Sequence, residues 1–134
     1  MRNSSILLTF LLCGMVASVN AQGQFDLLQI PSLQSDLADK SIVTSIHRSQ
    51  DKIMAVGERG HILAWTDRNN WQQQSVPVSL MLTDVTSLED GTRFAVGHDS
   101  VILKSAPHSD TWQKIFDGNQ LTQLKIAFIQ QKIA

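Results

Sequence analysis

The sequence contains no tyrosine, one cysteine and three prolines among 134 residues. Without tyrosine the chain lacks the nucleophile that sialidases use, and a single cysteine, Cys13, excludes an internal disulfide. The charges are nearly balanced, with 11 Lys and Arg against 12 Asp and Glu. This balance, with no basic cluster, lacks the electrostatic footprint of a nucleic-acid-binding protein, so we expect no nucleic-acid partner.

The first 21 residues have the order of features typical of a secretory signal peptide. Arg2 precedes an uncharged apolar run over 6–16, and small residues follow up to Ala21. The run is shorter than the roughly 20 residues of a membrane span. We therefore predict a signal helix over 1–21, export to the periplasm or the medium, and no membrane span after cleavage. A buried N-terminal helix is the alternative.

An internal repeat dominates the rest of the chain. The segment AVGERGHIL at 55–63 is followed, 40 residues later, by AVGHDSVIL at 95–103, and Trp71 and Trp112 recur at an offset of 41. Such periods are typical of propeller blades or helical arrays. An apolar run, a glycine-containing turn and a second apolar run predict a β-hairpin, and no helical periodicity is evident over 42–116.

We therefore predict an all-β fold with two four-stranded antiparallel propeller-type blades, at 41–79 and 80–119. An extended leader over 22–40, with a short helix at Leu33 to Leu37, precedes them. The predicted strands are Ile42 to His47, Lys52 to Val56, His61 to Trp65, Trp71 to Ser75, Leu82 to Leu88, Arg93 to Val96, Val101 to Ser105 and Trp112 to Phe116.

A terminal helix is predicted over 120–134. Leu121, Leu124 and Phe128 recur at helical spacing, and Asn119 is the expected N-cap because its side chain accepts from free first-turn amides. Since two blades form one interface, we expect two bare outer faces, a truncated gene product or fragment, and marginal stability or aggregation.

The turns before Trp71 and Trp112 resemble degenerate Asp-boxes. In that motif a carboxylate accepts from backbone amides and the tryptophan packs in the blade core, but Pro107 stands where the second copy needs its aspartate. We expect a structural role for both tryptophans. Gly57 and Gly97, at the strand ends of the repeat, are also predicted to be structural.

The opposite turns carry the candidate binding residues. Glu58 and Arg59 in the first repeat and His98 and Asp99 in the second fall between the second and third strands. We expect them to share one face and to bind a partner protein; the alternative is that they are merely solvated.

No enzyme motif is present. The chain has no GxSxG, no HExxH and no phosphate loop, so we predict no catalytic residue and no cofactor. His47 and His108 lack neighbours at metal-ligand spacing, so no metal site is expected and both are interpreted as surface residues. A sialidase-like glycan hydrolase or a glycan-binding propeller remains the alternative function.

The repeated AVGxxGxIL strings, the degenerate TDRNNW and the W-x-x-x-x-DG before a helix resemble exported BNR-repeat proteins. These are similar to the photosystem II stability/assembly factor family, and the resemblance spans 41 to about 130. It implies a sialidase-like β-propeller without hydrolysis that assists a membrane protein complex or a transporter component. The family turn has Asp-Gly-Gly where this chain has Asp67-Arg68-Asn69, and Ser100 replaces a glycine.

Overall fold

A computed structural model describes residues 25–49, 52–65 and 70–133. The predicted signal helix falls outside these residues. So do positions 66–69, which belong to the first segment that resembles an Asp-box in sequence.

The described chain forms two four-stranded antiparallel sheets followed by one α-helix. Within each sheet the strands are hydrogen-bonded in chain order. The predicted mostly-β fold, with two such sheets and a C-terminal helix, is therefore confirmed. The first sheet comprises β1 (Val43–Arg48), β2 (Ile53–Gly57), β3 (Ile62–Trp65) and β4 (Trp71–Gln73), the second β5 (Leu82–Ser87), β6 (Arg93–Gly97), β7 (Ile102–Ser105) and β8 (Gln113–Phe116), and the helix is α1 (Gly118–Ile133).

The main hydrophobic core lies between the two sheets. Strand β2 is apolar at consecutive positions because both of its faces are covered: Met54 and Val56 belong to the inter-sheet core, while Ala55 belongs to a smaller cluster on the other side. The inter-sheet core consists of Leu28, Met54, Val56, Ile62, Val76, Val78, Leu80, Leu82, Val85, Ala95, Val101, Leu103 and Trp112.

Strands β1 and β5 lie against each other and are joined by side chains. The Ser45 hydroxyl donates to Asp84 Oδ1 at 2.7 Å, and His47 Nε2 lies 2.8 Å from Ser87 Oγ. Near the start of β1, the Thr44 hydroxyl lies 2.6 Å from the Leu82 carbonyl oxygen. These contacts fix the two sheets at their adjoining first strands.

Gly57 and Gly97 are required by close backbone approach. A Cβ at Gly57 would lie 1.9 Å from the Ile42 carbonyl oxygen, and one at Gly97 would lie 2.4 Å from that of Met81. The next residue then bonds the same carbonyl, as Glu58 N–H does to Ile42 at 3.1 Å. In both repeats the chain at the start of the first strand passes so close to the end of the second strand that only glycine, which has no Cβ, fits there.

The leader covers the outer face of the first sheet. Ala38 packs with Ala55 and Leu63, and the half-buried Trp71 joins them. The Gln73 side chain holds the leader edge, since Nε2 donates to the Leu33 carbonyl at 2.9 Å and Oε1 accepts from Ser35 N–H at 2.9 Å. The expectation of two bare outer faces is therefore wrong for the first sheet.

The leader helix predicted at Leu33 to Leu37 is also wrong. The leader instead forms one 3₁₀ turn, Ala38–Lys40. The Ser35 hydroxyl accepts from Leu37 N–H at 3.1 Å, and Gln73 Oε1 accepts from Ser35 N–H. Because these polar side chains bond to backbone amides, they compete with the hydrogen bonds that a helix would need.

Helix α1 begins two residues earlier than predicted, and its N-cap is Asp117 rather than Asn119. Gln120 N–H donates to Asp117 Oδ1 at 3.1 Å, while Asp117 N–H donates to Gln120 Oε1 at 3.0 Å. This is a reciprocal capping box. Lys114 Nζ, 2.8 Å from Asp117 Oδ2, strengthens it.

Candidate functional site

The four predicted binding residues lie in two equivalent 3₁₀ turns, Glu58–Gly60 and His98–Ser100. Arg59 and Asp99 adopt left-handed backbone angles, with φ of 55° and 52°. The backbone N–H of Glu58 bonds Ile42, and that of His98 bonds Met81 in the same way, at 3.0 Å. The turns therefore lie at the same end of their sheets, as the repeat predicts.

The first turn lies next to the end of the leader. Glu58 Oε1 accepts from Ile42 N–H at 3.3 Å, and Arg59 is exposed. His61, directly after the turn, is buried, and its Nδ1 lies 3.1 Å from Ser41 Oγ. Burial lowers the pKa of His61; the carboxylate of Glu58 opposes this shift and the guanidinium of Arg59 adds to it.

The second turn lies against helix α1 instead. A Cβ at Gly118 would lie 2.8 Å from the Asp99 carbonyl oxygen, so the helix starts in direct contact with the turn. His98 and Asp99 are both exposed. Among the described residues, no hydrogen bond or ion pair joins one turn to the other. The first turn therefore has His61 beside it and the second has the helix, and joint binding of one partner by the four residues stays a prediction.

The outward face of the second sheet is apolar and uncovered. The strand register pairs Val96 with Ile102 and Ile102 with Phe116, which places these side chains side by side. Phe94 is half-buried on the same face with Lys104 Nζ 6.0 Å from its ring centroid. We call this group of Phe94, Val96, Ile102 and Phe116 the open face.

The first sheet buries the residues that correspond to the open face. Met54, Val56 and Ile62, at an offset of 40 from Phe94, Val96 and Ile102, are at most 1% exposed against the second sheet, whereas Val96 is 39% exposed. The repeat thus preserves apolar side chains on a face of the second sheet that no further sheet covers among the described residues.

At two positions near this face the second repeat has a different residue from the first. Gly60 has a φ of 73°, and a Cβ there would lie 2.0 Å from the Val78 carbonyl oxygen of the segment leading to the second sheet. Its counterpart is the exposed Ser100, and the buried Ala64 corresponds to the exposed Lys104. A third sheet stacked in the same register would collide with the Ser100 side chain and bury the Lys104 ammonium.

Helix α1 is equally uncovered. Every residue from Thr122 to Ile133 is exposed, including Leu124, Phe128 and Ile129, each at 57–60%. Isolated helices of this length are marginal in water, and most helical stability in proteins comes from packing. We call residues 122–133 the bare helix.

The opposite end of the sheets holds a cleft of about 830 Å³. His47 and His108, interpreted as surface residues, both line it; His47 is half-buried and bonds Ser87. The lining also includes Lys52, whose Nζ forms an ion pair with Asp110 Oδ1 at 3.1 Å. The cleft therefore mixes both charge signs and presents no single class of ligand.

The two tryptophans of the repeat differ in surroundings. Trp112 is 4% exposed, and its Nε1 donates to Gln74 Oε1 at 2.7 Å, while Trp71 is half-buried beneath the leader. Next to Trp112, the buried Arg93 holds the turn after β7 by donating to Ser105 Oγ at 2.9 Å and to the Ala106 and Ser109 carbonyls. The turn after β7 is therefore held by a cation that donates to backbone carbonyl oxygens.

Sequence reasoning missed this role of Arg93. The available signal was a lone cation at an inward position of an apolar strand, since buried arginine is rare unless its donors are satisfied.

In residues 25–49, 52–65 and 70–133, no group of three or more His, Cys, Asp and Glu side chains is arranged to hold a metal ion. The same part of the chain contains no helix with the length and hydropathy of a membrane span.

Comparison of the chain with protein-family models, with curated proteins and with solved structures finds no match.

Proposed function

We propose that this chain is an exported, non-catalytic protein-interaction module that acts as an assembly or accessory factor for a membrane protein complex. We also propose that its two sheets are neighbouring propeller-type blades. Their adjoining first strands, the shared face-to-face core and the 40-residue repeat support the blade relationship. The resemblance to the photosystem II stability/assembly factor family supports the choice of a membrane-complex partner.

One observation carries the proposal of a protein partner: Val96 on the open face and Leu124, Phe128 and Ile129 on the bare helix are exposed apolar side chains. Contiguous exposed apolar surface on a soluble protein marks an interaction site. The His98–Ser100 turn lies at the start of the helix and adds charge at its edge. An apolar surface with a polar edge is the usual anatomy of a protein interface.

Ser100 and Lys104 favour a neighbour other than a third copy of the repeat. Both side chains are accommodated by a partner of different shape, one that leaves the Lys104 ammonium near solvent. Glu58 and Arg59, which lie beside His61, are secondary in this proposal.

The chemistry of the chain supports a non-catalytic role. Tyrosine, the sialidase nucleophile, is missing from the whole sequence, and so are the hydrolase motifs.

Site-specific photo-crosslinking in the producing cell tests the proposal. A photoreactive phenylalanine analogue is placed at Phe94 or Phe128, with Leu33, which is 72% exposed in the leader, as the matched control. We expect one membrane-complex component to be crosslinked from Phe94 and Phe128 and not from Leu33. Crosslinks only to second copies of the chain, or none at all, would overturn the proposal.

The two turns are compared in the same assay with Asp99→Asn and Arg59→Asn, because asparagine tolerates the left-handed backbone that both positions need. We expect the Asp99 variant to lower the crosslinking yield from Phe128 more than the Arg59 variant does.

A further inference from the structure

A groove between the leader and the outer edge of the first sheet has no part in the proposed protein interface. Its volume is about 710 Å³. The sheet contributes Trp65, Trp71 and Gln72, and the leader contributes Asp36 and Asp39. We propose that this groove binds a neutral, β-linked oligosaccharide, with one sugar ring stacked on the Trp65–Trp71 pair.

The aromatic pair is placed at the surface of the groove. Register pairs Trp65 with Trp71 on the outward face of β3 and β4, and their ring centroids lie 5.2 Å apart at 73°. Trp65 is 37% exposed even though the leader covers the same face of the sheet. The negative π-face of an aromatic ring attracts polarised C–H groups, which is what one face of an all-equatorial sugar presents.

The polar side chains of the groove suit hydroxyl groups. Asp36 and Asp39 stand on the leader opposite the pair, whereas Gln72, which pairs with the buried Ala64, has its side chain on the other face of β4. Carboxylates accept hydrogen bonds from sugar hydroxyls. Lys40 Nζ lies 3.0 Å from Asp39 Oδ2, so Asp36 is the carboxylate left to repel an acidic sugar, and a neutral sugar is favoured.

Among the described residues, the equivalent position in the second sheet has no such groove. There the counterpart of Trp65 is the buried Ser105, and the corresponding corner is filled by Arg93 and the Trp112 ring, whose centroid lies 5.7 Å from the guanidinium carbon. The two repeats therefore differ at this position, and Trp65 places an exposed aromatic ring in the groove of the first sheet.

Titration of the full chain with chitohexaose and cellohexaose, followed by tryptophan fluorescence and calorimetry, tests the proposal. Both sugars are neutral, β-linked and all-equatorial. We expect a saturable change with at least one of them at concentrations up to about 10 mM, and binding at least tenfold weaker for 3′-sialyllactose.

Variants at Trp65 separate stacking from simple apolar contact. We expect Trp65→Leu to weaken binding by at least about tenfold, Trp65→Phe to retain most of it, and Asp36→Ala to weaken it a few-fold. Ile46→Ala, at an exposed apolar side chain of β1, is the control and should bind as the parent does. Circular dichroism and melting temperature confirm that each variant is folded.

Three outcomes would overturn the inference: no response to either neutral sugar, equal binding of 3′-sialyllactose, or unchanged binding by folded Trp65→Leu. Because the titration uses the isolated chain and a different surface, its failure would leave the proposed protein interface unaffected.

Discussion

The two sheets of this protein share one register but differ in what covers them. In each sheet the pairing of the first strand with the second shifts register after the first residue of the first strand, Val43 or Leu82. The second strand of each sheet ends at a glycine, close to a backbone carbonyl oxygen of the residue before the first strand. The leader and the second sheet cover the first sheet on both faces. Among the described residues nothing comparable covers the open face of the second sheet, so the same local structure gives a covered face in one repeat and an uncovered face in the other.

The largest expected effect concerns the two tryptophans. Trp112→Ala should lower the free energy of unfolding by roughly 3 to 5 kcal/mol, because it leaves a cavity in the inter-sheet core and removes the partner of the buried Gln74. Trp71→Ala should cost clearly less, since Trp71 is half-buried under the leader. Urea unfolding measures both. Equal costs would show that the leader face is packed as tightly as the inter-sheet core.

The second prediction concerns the turn glycine. Gly60→Ser should cost at least about 2 kcal/mol, because the left-handed backbone strains any Cβ and the Val78 carbonyl oxygen occupies its place. Ser100→Gly should change stability by no more than about 1 kcal/mol, since relief of strain is offset by unfolded-chain entropy. Thermal melts of both variants check this, and similar changes would contradict the asymmetry of the two turns.

Much of the sheet structure could be predicted from the sequence because it depends on local pattern. The strands follow from apolar runs and the glycine spacing, and the boundaries of β1 and β3 differ from the predicted ones by one residue. Strand β4 ends at Gln73 rather than Ser75, because the backbone at Ser75 pairs with the second repeat instead: Ser75 forms a bridge with Thr111, and its carbonyl accepts from Trp112 N–H at 3.1 Å.

The cover of the first sheet and the groove beneath Trp65 could not be predicted in this way. Both depend on where the leader packs, and Ala38 or Gln73 carries no local sign of a tertiary contact. The different neighbours of the two polar turns could not be predicted either, because repeat spacing gives the end of the sheet on which a turn lies but not the elements packed beside it.

The third prediction tests the corrected helix cap. Asp117→Ala should cost about 1 kcal/mol, within the 0.5 to 2 kcal/mol of an N-cap deletion, and should lower helix content. Asn119→Ala, at the position first expected to cap the helix, should be close to neutral because Asn119 is exposed in the first turn. Circular dichroism with urea unfolding compares them; a larger loss for Asn119→Ala would restore the original assignment.

The smallest expected effect is a pH dependence that only the first repeat carries. Burial lowers the pKa of His61 below its usual 6.5, so folding favours the neutral imidazole. The stability it contributes is complete above about pH 6.5 and is lost as the pH falls from there towards the lowered folded pKa. His61→Val, which installs the residue found at Val101, should remove this part of the dependence. Melting curves between pH 7.5 and pH 5 are the measurement, and an unchanged slope in the variant would exclude His61 as its source.

Cysteine accessibility tests the central claim most directly, because Cys13 is the chain's only cysteine and Cys13→Ser gives a thiol-free background. Val56→Cys and Val96→Cys place a thiol at equivalent repeat positions, one between the sheets and one on the open face. We predict that maleimide labels Val96→Cys at close to the rate of a free thiol at all protein concentrations, and Val56→Cys at least about a hundredfold more slowly, because labelling there requires opening of the core. Slow labelling at both positions in the isolated protein would show that the open face is already covered and would contradict the account.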